Sequence, residues 1–469
     1  MGRALGLVAL VAIAAPVAWL GRARVAHAAP DTLASLLERT DAVAHEVARI
    51  RGLPLKHPIP NDVVDRDQLR ARLIKSAAED KTAAETAAEG FALERWGLVP
   101  PGTDYPVLLI DLMTEQLAGY YDSDTKQLTI SKSAGDDPTW AEMVLAHELD
   151  HGLQDQAFDL HHFEDVPDSE GDAAIARRAL VEGDGVALMI EVLVDRRHAK
   201  IDWASPAITA AIAKGMTLGT GTGTGPDADH LDRAPLAIRE AMLFPYRAGL
   251  SFVAALRRHQ SWSAVDAAFA RPPKSTEQIL HPDRYVADDP PVPVALDVPA
   301  ALPGYTIAHS TVWGELGFDL WLRSHGVDDA IAAVAAAGWG GDRAIVLARP
   351  GDHRAAQAVG IAHTEWDTEA DAIEAAEAAG KALADTVVGA TLERTATRTR
   401  LFGLDGTVSW LERRGATLIL VVGAPSWSAD ALAAELWTPP PPPARKPAKP
   451  RPAKSPPRAV NLRLTVGSR

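Results

Sequence analysis

Val144-Leu145-Ala146-His147-Glu148-Leu149-Asp150-His151 is the stretch on which the reading of this chain turns. On a helix, positions i and i+4 share a face, so both imidazoles reach one point, while Glu148 projects about 100° around the axis from His147. Two nitrogen ligands with a carboxylate beside them, free to address a water, form the arrangement a hydrolytic zinc site needs. Trp140, Val144, His147, His151 and Phe158 fall on one stripe at helical spacing, which puts the histidines on the inward face. Buried imidazoles need partners, and a metal supplies them. The helix is expected to start near Asp137-Pro138-Thr139 and to run to about Phe158.

A catalytic zinc needs a third protein ligand. On a second expected helix, from about Asp172 to Asp195, the residues Ile175, Ala179, Glu182, Val186, Met189 and Leu193 form an apolar stripe with Glu182 in its middle. Asp184, Glu191 and Asp195 point elsewhere by the same periodicity. An ionised carboxylate on a buried face is costly unless it is paired or binds a metal. Glu182 is therefore the expected third ligand, with a buried salt bridge as its other reading. Asp155, about 12 Å of rise from His147, suits a supporting role on His151. His161 and His162 become third-ligand candidates if the helix ends early. The longer His-x-x-Gly-x-x-His spacing is absent, because Gln154 and Ala157 occupy those places.

Outward from this centre, Glu115 to Tyr121 and Gln127 to Ile130 flank the turn Asp122-Ser123-Asp124 and predict a hairpin. The apolar run 107–110 predicts a strand before it. Residues 31–96 predict helices, interrupted at Gly52-Leu53-Pro54 and His57-Pro58-Ile59-Pro60. The Gly/Thr tract at 219–226 lacks the Lys-Ser/Thr ending of a phosphate-binding loop and predicts a plain loop. Further on, an Ala-rich helix is expected over 368–384 and strands over 407–412 and 416–422. The fold class that results is α+β, predominantly helical, with a small sheet or hairpin against the His147 helix.

At 469 residues, 47% apolar and 23% charged, the composition is that of an ordinary globular protein. A net charge of −15 argues against nucleic acid as a partner. Beyond Trp437 the chain turns Pro-, Lys- and Arg-rich without a single acid, and such a tail cannot bury a core. There is no cysteine, which excludes disulfides, thiol nucleophiles and Cys ligands. Arg3, the apolar run 4–20 and Ala26-His27-Ala28 form the three-part pattern of a signal peptide over residues 1–28. Arg22 and Arg24, lying between run and cleavage site, leave an uncleaved anchor as the alternative. Either route predicts an exported protein, periplasmic or secreted.

The motif His147-Glu148-Leu149-Asp150-His151, followed by Ala179-Leu180-Val181-Glu182-Gly183-Asp184, resembles the gluzincin metallopeptidases, and more narrowly a group of exported bacterial proteins in that superfamily. Matching segments include Ile50-Arg51-Gly52-Leu53-Pro54, Ala118-Gly119-Tyr120-Tyr121-Asp122, Gly152-Leu153-Gln154-Asp155-Gln156 and Phe244-Pro245-Tyr246-Arg247-Ala248-Gly249. Others are Pro272 to Pro282 and Gly338 to Arg343, so the resemblance covers about 45–425. One departure is Asp150, where gluzincins usually carry an uncharged residue.

The resemblance implies a zincin-like domain over 98–350, after an N-terminal helical region at 29–97 and before a C-terminal α/β subdomain at 351–437 and the tail at 438–469. It implies Zn2+ as cofactor, Glu148 as general base, and a peptide or protein substrate aligned on the hairpin strand that ends at Tyr121. Tyr246 and His281 are the expected electrophiles for the tetrahedral oxyanion. The rival expectation is a non-catalytic zinc-binding envelope protein whose basic tail associates weakly with anionic envelope components.

Overall fold

Strand β1 (Leu7–Val11), helix α1 (Thr40–Arg51) and strand β2 (Asn61–Val64) open the chain, followed by helices at Arg66–Asp80 and Ala83–Arg95. The computed structural model describes residues 7–11, 37–80, 83–136, 138–205, 207–208, 230–258, 260–385 and 390–438. The expected Gly/Thr loop, the basic tail and most of the leader lie outside them. Helix outweighs strand, 54% to 18%, in the α+β class expected. No described helix is long and apolar enough to cross a membrane. Helix α1 stops at Gly52, whose φ of 82° is the left-handed conformation that glycine adopts without strain, and the Gly52 N–H closes on the Ala48 carbonyl. Beyond it, Asn61–Val64 is a strand where helix was expected, because its backbone pairs in parallel with a strand 67 residues further on.

Helix α2 (Tyr105–Gln116) corrects the reading of 107–110 as a strand. Four apolar residues carry too little periodicity to choose between helix and strand. The cap decides: the Asp104 carboxylate accepts from the Val107 N–H, and Pro106 fits the first turn. The expected hairpin then follows as β3 (Leu117–Asp122) and β4 (Gln127–Ser131), antiparallel, with Lys126 at a φ of 58° in the turn. The sheet runs β1-β3-β4-β2, with β1 antiparallel on β3.

Helix α3 (Pro138–Phe158) carries the histidines and lies across this sheet. At Gly119 of β3 a Cβ would come 2.9 Å from Val144 and 3.2 Å from the Glu148 Cγ, so strand backbone touches the motif itself. Every residue from 143 to 155 is buried. A single inward stripe was therefore too narrow a reading, because Glu148 and Asp150 are as enclosed as the histidines. Helix α4 (Gly171–Asp195) covers α3, and helix α5 (Leu236–Arg257) crosses α4. That crossing is backbone on backbone: a Cβ on Gly249 would lie 1.9 Å from the Ala179 carbonyl oxygen, and one on Gly183 would meet Gly249 at 2.2 Å.

The C-terminal part is one antiparallel sheet of β5 (Thr306–Thr311), β6 (Trp339–Ala348), β7 (Val359–Trp366), β8 (Thr391–Arg394), β9 (Arg398–Phe402), β10 (Thr407–Arg414) and β11 (Thr417–Pro425). Its order is β5-β6-β7-β11-β10-β9-β8. Helices α6 (Gly314–Ser324) and α7 (Glu369–Asp385) cover one face around Trp321, Trp339 and Trp366. Leu302, Tyr305 and Leu432 cover the other. The expected boundary at 350 falls between β6 and β7, which pair from Trp339 to Leu347, so it cuts through one sheet. The 29–97 region is likewise not a separate unit. Val43 and Val47 of α1 enter the core around α3, whereas Trp96 packs under Gly360 of β7.

Candidate metal centre

Helix periodicity brings His147 and His151 to one side of α3, and the α3–α4 contact brings Glu182 to them. The two Nε2 atoms stand 2.9 Å apart. Glu182 Oε2 lies 3.2 Å from His147 Nε2 and 3.5 Å from His151 Nε2. The rings are edge-on at 89°, so the nitrogens converge instead of stacking. All three side chains are buried, at 0%, 0% and 1% exposure, and among the described residues no other His/Asp/Glu group converges this closely. His147 owes its place to Gly185, since a Cβ there would lie 2.8 Å from the imidazole Cε1.

Two imidazole nitrogens and one carboxylate oxygen suit zinc by donor type. They suit it by spacing as well, because tetrahedral bonds of about 2.0–2.1 Å place ligand atoms roughly 3.3 Å apart. The charges agree. Burial works against ionising Glu182, but the bonds from His147 and His151 overcome it and hold the carboxyl down to about 2. Burial also opposes a proton on His151, but Glu182 and Glu148 push that imidazole up to about 9. Burial, with the neighbouring His151, lowers His147. A cation at the convergence point would satisfy all three groups at once.

The other expected residues divide. Tyr246 of α5 is present and donates its hydroxyl to Glu182 Oε1 at 3.1 Å, so it touches the cluster through the carboxylate. Glu148 is fully buried between α3 and β3. His281 is engaged elsewhere, 2.9 Å from Glu315 at the start of α6. Asp155 does not support His151; it accepts from the Tyr121 hydroxyl at 2.8 Å and from Lys126. His161 pairs with Asp124 and His162 with Asp159, because α3 runs on to Phe158 and carries them past the cluster.

Gln154 takes the place expected for Asp155, with Oε1 2.9 Å from His151 Nδ1. Its i+3 position relative to His151 was the available signal. Asp184, read as pointing away, is fully buried and held by Arg51 of α1 at 2.8 and 2.9 Å. Arg178, one turn before Glu182, pairs with Glu164 at 3.2 Å and brings a part-exposed cation toward Glu182 and Tyr246.

A domain of unknown function (DUF8575) matches residues 305–433. No curated protein and no solved structure matches the chain. The matched stretch is the C-terminal sheet with its helices, and it contains none of His147, Glu148, His151, Glu182 or Tyr246.

Proposed function

We propose that this protein is an exported zinc-dependent metallopeptidase of gluzincin type, with His147, His151 and Glu182 holding the ion. The observation that carries the reading is the convergence of three buried donor atoms at 2.9, 3.2 and 3.5 Å, with Glu148 on the same helix turn. Zinc bound there would polarise a carbonyl and bring the pKa of water toward neutrality. Glu148 would take a proton from the attacking water and pass it to the leaving amine. Tyr246 orients Glu182 through its hydroxyl, and it remains our candidate donor to the oxyanion. His281, committed to Glu315, has no part in this reading.

An extended peptide is favoured as substrate by what lies on β3. Strand β1 pairs with it antiparallel, placing Leu10 opposite Gly119, whose backbone touches Glu148. Removal of residues 1–28 would leave that strand edge to a substrate peptide.

A non-catalytic zinc protein is the second reading, and the complete burial of the cluster and Glu148 favours it. The test is metal content of residues 29–469 with His147→Ala and Glu182→Ala, together with hydrolysis of a peptide library by wild type and Glu148→Gln. One zinc per chain, lost in the first two variants, and turnover reduced about 10²-fold or more in the third would support the peptidase. Zinc without turnover would leave the second reading; no zinc after reconstitution would end both.

A further inference from the structure

Behind His151 stands a second layer of buried polar groups, and its geometry says which nitrogen carries the proton. The Gln154 amide presents Oε1 to His151 Nδ1 at 2.9 Å, and its Nε2 donates to the Val181 carbonyl at 3.2 Å and to Asp150 Oδ2 at 3.1 Å. A backbone carbonyl can only accept, so the amide cannot be turned round without setting oxygen against oxygen. Its oxygen, likewise, can only accept. The His151 nitrogen facing it must therefore donate, so that in the neutral ring it is Nε2, on the His147 and Glu182 side, that carries the lone pair.

The brace itself is braced. Arg51 forks onto Asp184, stands 2.8 Å from Asp266 Oδ1 in an ion-pair contact, and lies over the Trp262 ring at 4.5 Å. Its charge also bears on Asp150. One fully buried guanidinium thus serves a carboxylate group that would otherwise be costly to enclose. Asp150 is the residue at which this chain departs from the usual gluzincin motif, and the structure uses it to hold Gln154.

We propose that Gln154, held by Asp150 and the Val181 carbonyl, is the positioning residue that fixes the tautomer of His151 for metal binding. This rests on the cluster holding a metal.

The test compares zinc affinity, by chelator competition, in wild type, Gln154→Met and Gln154→Glu, with the melting temperature of each metal-free protein. Gln154→Met should bind zinc about 10–100-fold more weakly. Gln154→Glu keeps an acceptor for Nδ1 and, with its outer oxygen protonated, can still donate to the Val181 carbonyl, so it should lose less affinity than Gln154→Met. A purely structural role reverses that order, because a second carboxylate beside Asp150 is the more disruptive change. Equal affinity of Gln154→Met and wild type, or equal losses in both variants at unchanged melting, overturns the proposal. A direct measurement needs no variant: in wild-type protein loaded with 113Cd and 15N-labelled at histidine, His151 Nε2 should couple to cadmium and Nδ1 should carry the proton. Coupling through Nδ1 overturns the proposal, whereas a wild type that takes up neither metal overturns the metallopeptidase reading beneath it.

Discussion

Replacing Gly185 with alanine should separate metal binding from stability. The added Cβ would sit 2.8 Å from His147 Cε1 and 2.9 Å from Nδ1, whereas ordinary contact begins at 3.4 Å. The ring must retreat by about 0.6 Å, against a tolerance of about 0.2 Å in metal–ligand distances. Stability barely registers the change. Alanine in a helix interior gains about 1 kcal/mol over glycine, which offsets the roughly 0.5–1.5 kcal/mol of an off-rotamer ring. The metal-free variant should melt within about 3 °C of wild type. Its zinc affinity should fall about tenfold or more, a loss of about 1.4 kcal/mol or above. Calorimetry of the metal-free proteins and chelator competition give the two numbers. Wild-type affinity in this variant would mean that His147 is not a ligand in the position described, and a collapse in melting temperature would mean that α4 cannot yield there at all.

Gly249→Ala should behave in the opposite way, because its Cβ meets the Ala179 carbonyl at 1.9 Å and neither backbone can give; thermal melts should show a loss of about 2–3 kcal/mol. Tyr246→Phe removes the 3.1 Å hydrogen bond to Glu182 and should cost about 1.5 kcal/mol of zinc affinity, read by the same competition. If Tyr246 also donates to the oxyanion, kcat falls with KM unmoved. The pH dependence has a definite sign. His151 is raised from 6.5 to about 9 in the metal-free fold, so the stability from its pairing with Glu182 is complete below 6.5 and fades as pH climbs through 9. Zinc must displace that proton, so affinity should rise about tenfold per pH unit over this window and then level; a flat profile would contradict the pairing.

Much of the centre was legible in the chain because helical spacing is a local property. His147, Glu148 and His151 follow from 3.6 residues per turn, and Glu182 from a carboxylate set in an apolar stripe. The hairpin at 117–131 announced itself by its turn residues in the same way. The failures were of two kinds. Residues 107–110 and 61–64 were too short for periodicity to decide, and a cap and a distant ladder decided them instead. Asp155, His161 and His162 were placed by residue type and proximity in sequence, and His281 by the family resemblance, but their partners come from Tyr121, Asp124, Asp159 and Glu315.

What the sequence by itself determined is therefore the cluster of His147, His151 and Glu182 and the helices that bear it. Tertiary structure alone decided what stands behind those side chains. The Val181 carbonyl on Gln154, Tyr246 on Glu182, Gly185 under His147 and Arg51 against Asp184 depend on how α4 packs on α1 and α3 and how α5 crosses α4. The reason is physical: periodicity fixes the face a side chain occupies on its own helix, whereas hydrogen-bond partners across helices are chosen by crossing geometry, which here turns on glycines 66 residues apart that let two backbones touch.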